Sequence, residues 1–306
     1  MENTPRIPAL ICILGPTASG KTKYAVKLAA ELDGEIISAD SRQVYRGMDI
    51  GTGKDLGEYE LIDENGDSKR IPYHLIDIAD AGSKYNIFQY QQDFQEVFRD
   101  ICSRGKQPIL CGGSGLYIEA VTRGYSLPEV PIDPKLRSEL EQHDMDYLIN
   151  MLTSMKPPHN STDYDTKKRL IRAIEIEVYR KNNPVETSAY LPIETKFIGI
   201  SVSRDDRNAR IDRRLRERLR EGMVEEVQGL LDSGIPPEDL IYYGLEYKFI
   251  TLYLTGELGY EDMVDKLAVA IHQFAKRQMT WFRGMERRGI EIDWVTKNRE
   301  IHRGEE

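Results

Sequence analysis

At 306 residues, with 40% hydrophobic and 30% charged side chains, the chain can bury one large core and a satellite domain. Its formal charge of −9 argues against indiscriminate binding of nucleic acid by bulk charge, and no apolar run approaches the length of a membrane span. Three cysteines (Cys12, Cys102, Cys111) are spaced for neither a disulfide framework nor a zinc site, and residues 1–8 carry no export pattern, so a reducing cytoplasm is expected.

The apolar run 9–14 predicts a short buried strand. It leads directly into Gly15-Pro16-Thr17-Ala18-Ser19-Gly20-Lys21-Thr22 and an amphipathic helix. Strand, glycine-bounded turn and Lys-Thr opening a helix form the context that a phosphate-binding P-loop requires. Backbone N–H groups and the positive end of the helix dipole point at one spot, where Lys21 adds a full charge. The Thr22 hydroxyl is placed to ligate a Mg2+ shared with the phosphates.

Residues 34–39 read as a second strand ending at Asp40. Ligands of an open parallel sheet sit beyond the carboxyl ends of its strands, so Asp40 comes beside the phosphate cradle. The stretch 40–54 is dense in polar side chains and glycine and suits a binding loop. Residues 55–73 read as a surface excursion, and 73–78 as the return to the body. A helix over 87–103, with Phe88, Phe94, Val97, Phe98 and Ile101 inward, precedes a third strand at 108–111. That strand runs into Gly112-Gly113-Ser114-Gly115, a second strand-glycine-helix junction.

From 124 to about 194 the pattern changes: Pro128, Pro131 and Pro134 lead into helices over 134–155 and 163–180, with no strand between them. Strand character resumes at 196–202. An arginine-rich helix over 206–231 follows, with Ile211, Leu215, Leu219, Met223 and Val227 down one side. Arg210 and Arg214 lie early in it, near the end of the preceding strand and so near the phosphates. A short helix opens in 242–249. The last helix, 260–285, turns Met263, Leu267, Ile271 and Phe274 inward and Gln273, Lys276 and Arg277 to another side. Residues 289–294 read as an edge strand and those from 297 as a loose tail.

The expected fold class is α/β: a P-loop NTPase-like parallel sheet flanked by helices, formed by 1–123 and 196–306, with a helical insertion domain at 124–195. The usual ATPase machinery is incomplete, because no apolar strand other than the one reaching Asp40 ends in a suitable aspartate. A phosphate cradle, one carboxylate, nearby arginines and broad surfaces for a second substrate suit a reaction in which pyrophosphate leaves.

Four stretches carry a family resemblance: the P-loop; residues 40–52, Asp-Ser-Arg-Gln-Val-Tyr-Arg-Gly-Met-Asp-Ile-Gly-Thr; residues 112–117, Gly-Gly-Ser-Gly-Leu-Tyr; and residues 273–283, Gln-Phe-Ala-Lys-Arg-Gln-Met-Thr-Trp-Phe-Arg. In these the chain resembles the tRNA dimethylallyltransferases, the tRNA isopentenyltransferases that modify the adenine next to the anticodon. The resemblance implies transfer of a dimethylallyl group from dimethylallyl diphosphate to N6 of that adenine. Lys21, Mg2+ on Thr22 and Arg210 would stabilise the departing diphosphate, with Gly15, Pro16, Thr17, Ala18, Ser19, Gly20 and Arg214 completing its site. Asp40 would accept the N6 proton, and Thr17 stands near the leaving oxygen. The adenine must be flipped out. Gln43 would read its edge, while Ser41, Arg42, Ser114 and Arg137 touch neighbouring nucleotides. Lys168, Arg169 and Arg172 of the insertion and Gln273, Lys276 and Arg277 would grip the anticodon stem-loop. A monomer acting on tRNA, away from membranes, is expected.

The pattern is not followed throughout. Gly244-Leu245-Glu246-Tyr247 stands where the family has Gly-Tyr-Arg-Gln, Ile271-His272 where it has Thr-Arg, and Ser114 where it has Thr. Alternatives are an adenylate isopentenyltransferase acting on a free nucleotide, a small-molecule P-loop kinase, and a non-catalytic RNA-binding protein.

Overall fold

The computed structural model describes residues 10–62, 66, 68–125, 127, 129–155, 166–183 and 191–296. It divides into two units, the first formed by residues up to 124 together with those from 191 onward, the second by residues 125–190.

The first unit is built on β1 (Leu10–Leu14), β2 (Gly34–Ala39), β6 (Tyr73–His74), β8 (Gln107–Gly112), β9 (Thr195–Ser201) and β10 (Ile292–Thr296), in the order β10-β9-β1-β8-β2-β6. Every neighbouring pair is parallel. The central strands are apolar on both faces because helices cover both. On one face lie α2 (Ile87–Ser103) and α3 (Gly115–Thr122), packing Tyr90, Phe94, Phe98, Ile118 and Val121 against Leu10, Cys12, Leu14 and Leu110. On the other, α1 (Lys21–Glu31) buries Ala25, Val26, Leu28 and Ala29 against Ile13, Ile36 and Ile109. Two small pairings lie outside this sheet: β3 (Tyr45–Arg46) with β7 (Ala79–Asp80), and β4 (Glu60–Ile62) with β5 (Ser68–Arg70). The excursion from 55 is anchored by a 3-10 turn, Leu56–Tyr59, whose Tyr59 is buried together with Ile71.

In the second unit α4 (Pro134–Leu140), α5 (Met145–Met155) and α6 (Lys167–Asn182) enclose Leu140, Leu148, Leu152, Leu170, Ile171 and Ile174. The single helix expected over 134–155 is two. After α4 the chain tightens, His143 N–H donating to the Leu140 carbonyl at 3.2 Å, and Asp144 Oδ1 then accepts the Tyr147 N–H at 2.8 Å to start α5 afresh. Thr166 caps α6; positions 163–165, where the expected helix began, and Pro128 lie outside the described residues.

The other differences have local causes. The arginine-rich helix ends early: α7 (Arg204–Arg220) is separated from α8 (Met223–Asp232) by Gly222 at φ 102°, a left-handed conformation that stops a helix. A further helix, α9 (Pro237–Tyr242), precedes α10 (Leu245–Leu254). In α11 (Tyr260–Arg287) the buried stripe runs Met263, Leu267, Ile271, Ala275, Gln278, Phe282, so Phe274 is turned out and is 39% exposed. Close to the unit boundary, within the first unit, Ile193 N–H donates to the Thr122 carbonyl at 3.0 Å; Glu194, just before β9, accepts the Leu10 N–H of β1 at 3.0 Å.

Candidate active site

The P-loop closes the gap between β1 and α1. Gly20 takes φ 87° and Ala18 φ 60°, so the turn holds a non-glycine residue in the left-handed region. A Cβ on Gly15 would lie 2.8 Å from Ser19 Oγ and 3.2 Å from the Ile200 carbonyl oxygen, which restricts that position to glycine. No side chain caps α1, so its first N–H groups face outward beside Lys21. Burial pulls the Lys21 pKa below its ordinary value; Cys111 and Asp40 oppose this, and Arg214 adds to it.

One strand over, Ser114 stands at the start of α3, again with no side-chain cap. Strands β1 and β8 are paired in register, Leu14 opposite Gly112, so the two turns that lead into α1 and α3 leave neighbouring strand ends. Gln278 of α11, 8% exposed, joins them. Its Oε1 accepts the Thr17 N–H at 2.9 Å, and its Nε2 donates to the Gly113 carbonyl at 3.0 Å. Sequence reasoning quoted Gln278 within a motif but gave it no part in the site.

Asp40 leaves the end of β2, whose Ala39 is opposite Gly112. Its Oδ1 accepts the Arg42 N–H at 2.9 Å, and its own N–H donates to Ser38 Oγ at 3.3 Å. Ser114 Oγ accepts the Ser41 N–H at 3.2 Å, tying this loop to the start of α3. The carboxylate lies within electrostatic reach of Lys21 and of the tilted ring pair Tyr90 and Tyr117, whose centroids are 4.1 Å apart. Arg42 lies over the exposed Tyr242 ring, 5.5 Å from its centroid.

Gln43 is oriented at both ends of its amide. Ser38 Oγ donates to its Oε1 at 3.2 Å, and its Nε2 donates to the Gly53 carbonyl at 3.0 Å. The far end of the same loop hangs on Glu226 of α8, a residue no sequence pattern singled out. Its carboxylate accepts N–H groups from Asp49 at 2.8 Å, Ile50 at 2.7 Å and Gly51 at 3.0 Å, and the Tyr247 hydroxyl at 2.6 Å. Gly51 must be glycine because a Cβ there would meet the Tyr247 ring at 2.7 Å. Lys54, 2% exposed, pairs with Asp49 at 2.5 Å and with Asp77.

A cavity beside the P-loop is lined by Thr17, Ala18, Arg214, Arg218, Glu246, Met223 and Ile271. Of the two arginines expected at the phosphates, Arg214 lines this cavity; Arg210, one turn earlier and half-buried, is not among its lining residues. Arg218 enters it unexpectedly, donating to Asp55 Oδ2 at 3.1 Å. Burial lowers the Arg214 pKa, and the neighbouring Arg218 lowers it further.

A second, wider cavity of about 580 Å³ lies between α7 and α11, its walls including Arg204, Arg207, Gln273, Lys276 and Arg283. Burial lowers the Arg207 pKa, and Arg204 and Arg283 add to the effect, which marks a concentration of positive charge. His272 Nε2 lies 2.8 Å from Asp212 Oδ1. Gln273, Lys276 and Arg277 are exposed, and the Arg277 guanidinium lies 5.9 Å from the Phe274 ring centroid.

Within the second unit, Lys168 and Arg169 are exposed on α6. Arg137 and Arg172 instead converge on the buried Glu175. Arg137 makes a bidentate pair at 3.0 and 2.8 Å, and Arg172 bonds both Glu175 and the Val130 carbonyl, the latter at 2.8 Å. Both arginines are thus engaged in holding α4 to α6, with part of each left exposed.

The profile of the IPP transferase family matches residues 43–285, and that of the isopentenyl transferases matches residues 8–63. The chain belongs to the IPP transferase family. It is 61% identical to tRNA dimethylallyltransferase 1 of Parabacteroides distasonis over 94% of its own length and 92% of that protein's. It is 60% identical to tRNA dimethylallyltransferase 2 of Porphyromonas gingivalis over 94% and 93%. Among solved structures it is similar to the full-length tRNA isopentenylpyrophosphate transferase of Bacillus halodurans, with a TM-score of 0.67, 34% identity and coverage of 94% and 89%. It is also similar to a eukaryotic dimethylallyltransferase acting on tRNA, with a TM-score of 0.71, 25% identity and coverage of 95% and 74%. Among the described residues no helix is long and apolar enough to cross a membrane.

Proposed function

We propose that this chain is a tRNA dimethylallyltransferase that moves a dimethylallyl group from dimethylallyl diphosphate to N6 of the adenine adjacent to the anticodon, releasing pyrophosphate. The observation that carries the reading is the pair of neighbouring strand-to-helix turns, the P-loop and the turn after β8, joined through Gln278, with Lys21 on one side and the Asp40 carboxylate at the next strand end. Two turns leading into uncapped helices and a half-buried ammonium favour a group whose negative charge grows, as on a departing diphosphate. Arg214, lining the same cavity, adds a second cation. Relatives at about 60% identity are named for tRNA, which favours this acceptor over a free nucleotide or a kinase substrate.

In this reading the donor's diphosphate lies on the P-loop with its allylic carbon toward Asp40. Asp40, held by the Arg42 N–H, takes the proton from N6 as nitrogen attacks that carbon, and the carbon–oxygen bond breaks toward Lys21 and Arg214. Arg210 and Thr17 keep the parts expected of them at the leaving group. Gln43, whose amide is already oriented, meets the flipped base, and Ser41, Arg42 and Ser114 meet its neighbours. The Arg42–Tyr242 pair offers a flat face for an unstacked base. Gln273, Lys276 and Arg277 together with the wide cationic cavity receive the RNA backbone, and the helical domain, residues 124–195, adds Arg137, Lys168, Arg169 and Arg172.

The Thr22 hydroxyl and the diphosphate oxygens are hard oxygen donors that suit Mg2+, and among the described residues no cluster of carboxylates or histidines offers a protein-only cage. When bound, the ion would neutralise diphosphate charge. We place the enzyme in the cytoplasm as a monomer.

The test is to incubate the purified chain with labelled dimethylallyl diphosphate and either unmodified tRNA or AMP. Label in tRNA, at the adenine next to the anticodon by nucleoside mass spectrometry, is the expected result, and Asp40→Asn should cut the rate by roughly two to four orders of magnitude. Label in AMP alone overturns the reading.

A further inference from the structure

Glu246 is the one carboxylate lining the cavity beside the P-loop, which is otherwise bounded by Thr17, Ala18, two arginines and apolar side chains. A negative group in an anion site needs a reason. It does not serve as a hydrogen-bonded strut of the kind Glu226 provides: Glu226 is saturated by three backbone N–H groups and a hydroxyl, whereas the side chain of Glu246 turns back to its own backbone N–H at the start of α10.

Its surroundings define what it acts on. From α7 it is faced by Arg218 and Arg214, and from the end of β2 by Asp40. The same Arg214 is also felt by Asp55 and Glu58 from the segment after the binding loop, and Glu58 reaches Lys21 and Lys23. The cations at the cradle are therefore already partly neutralised, and Glu246 contributes from inside the cavity.

We propose that Glu246 competes with the diphosphate for Arg214 and Arg218, and so sets how tightly this enzyme holds its pyrophosphate product. The proposal rests on the reading of the P-loop as a diphosphate site. A carboxylate and an anion placed beside the same two guanidinium groups repel each other, so the anion binds more weakly than to the arginines alone. Burial raises the Glu246 pKa, against the opposing effects of its own backbone N–H, Arg218 and Arg214. In a transferase, product affinity bears directly on turnover, because the cradle that stabilises the leaving group must afterwards let it go.

The experiment measures inorganic pyrophosphate binding to the full chain, with Mg2+ present, by calorimetry, and pyrophosphate inhibition of tRNA prenylation. Glu246→Gln keeps the size and removes the charge. It is expected to bind pyrophosphate at least about tenfold more tightly and to be inhibited at correspondingly lower concentration, with an unchanged melting temperature. Glu246→Asp should restore near wild-type affinity, and Lys21→Ala should abolish binding. Equal or weaker pyrophosphate affinity in Glu246→Gln than in wild type overturns this inference alone. Failure of the wild type to bind pyrophosphate overturns the diphosphate site and this inference together.

Discussion

Gln278 and the backbone of Thr17, 261 residues apart in sequence, share a 2.9 Å hydrogen bond that ties the last long helix to the P-loop. Because the other end of the amide donates to Gly113, each end is assigned by its partner. Gln278→Ala leaves a part-buried N–H and a buried carbonyl unpaired and should cost about 2 kcal/mol of stability. Pyrophosphate binding should weaken with it, since the loop loses its tie. Gln278→Glu should do worse, setting a carboxylate oxygen against the Gly113 carbonyl. Thermal denaturation and pyrophosphate titration measure both effects.

Glu226 predicts a different split. Its three backbone bonds hold the loop that ends at Gly53, the partner of Gln43. Glu226→Gln should raise the KM for tRNA by about tenfold while leaving pyrophosphate affinity within about twofold. In the double variant with Gln43→Ala the loss should be no greater than in Gln43→Ala alone. Steady-state kinetics on the four proteins measure the coupling; additive losses would remove Glu226 from any role through Gln43.

Arg214 and Arg210 separate on the donor side. Arg214 lines the P-loop cavity and Arg210 does not, so Arg214→Ala should raise the KM for dimethylallyl diphosphate by about one to two orders of magnitude, and Arg210→Ala by less. A larger effect at Arg210 than at Arg214 would make Arg210 the principal cation at the leaving group.

Acid stability should depend on Glu35. A bond from Arg104, and then one from His74, hold its pKa down at about 2 against the opposing effect of burial. A carboxylate with a depressed folded pKa contributes stability that is complete above its unfolded value, about 4.3, and is lost as pH falls toward 2. Glu35→Gln should therefore be less stable than wild type at neutral pH and lose less on acidification. Denaturant midpoints measured between about pH 7 and pH 2.5 compare the two.

The P-loop turn, Asp40 at a strand end and the strands leading to them were legible in the sequence because each is written in a few consecutive residues: an apolar run, glycines at a turn, a carboxylate at a strand end; the spatial order of the strands was not, because it is set by pairings between distant segments. Gln278 and Glu226 were not, because their partners are backbone groups far away in the chain and leave no periodic trace. The break at Gly222 was hidden for another reason. The stripe Ile211, Leu215, Leu219, Met223, Val227 keeps its spacing of four across the break, so one helix and two look alike until the backbone angle at 222 is seen. Phe274 was misjudged because apolarity was read ahead of phase. The stripe needs position 275, where Ala lets α11 lie close, and the ring one residue earlier is left outside.

Where residues 125–190 leave and rejoin the rest of the chain, the path out and the path back are laced by the Ile193–Thr122 bond. An insertion whose entry and exit are hydrogen-bonded to each other can be exchanged, lengthened or trimmed between related proteins without a break in the sheet that carries the chemistry. On the RNA-gripping role proposed for that insertion, divergence in which RNAs are held can then proceed independently of the machinery that severs the prenyl ester.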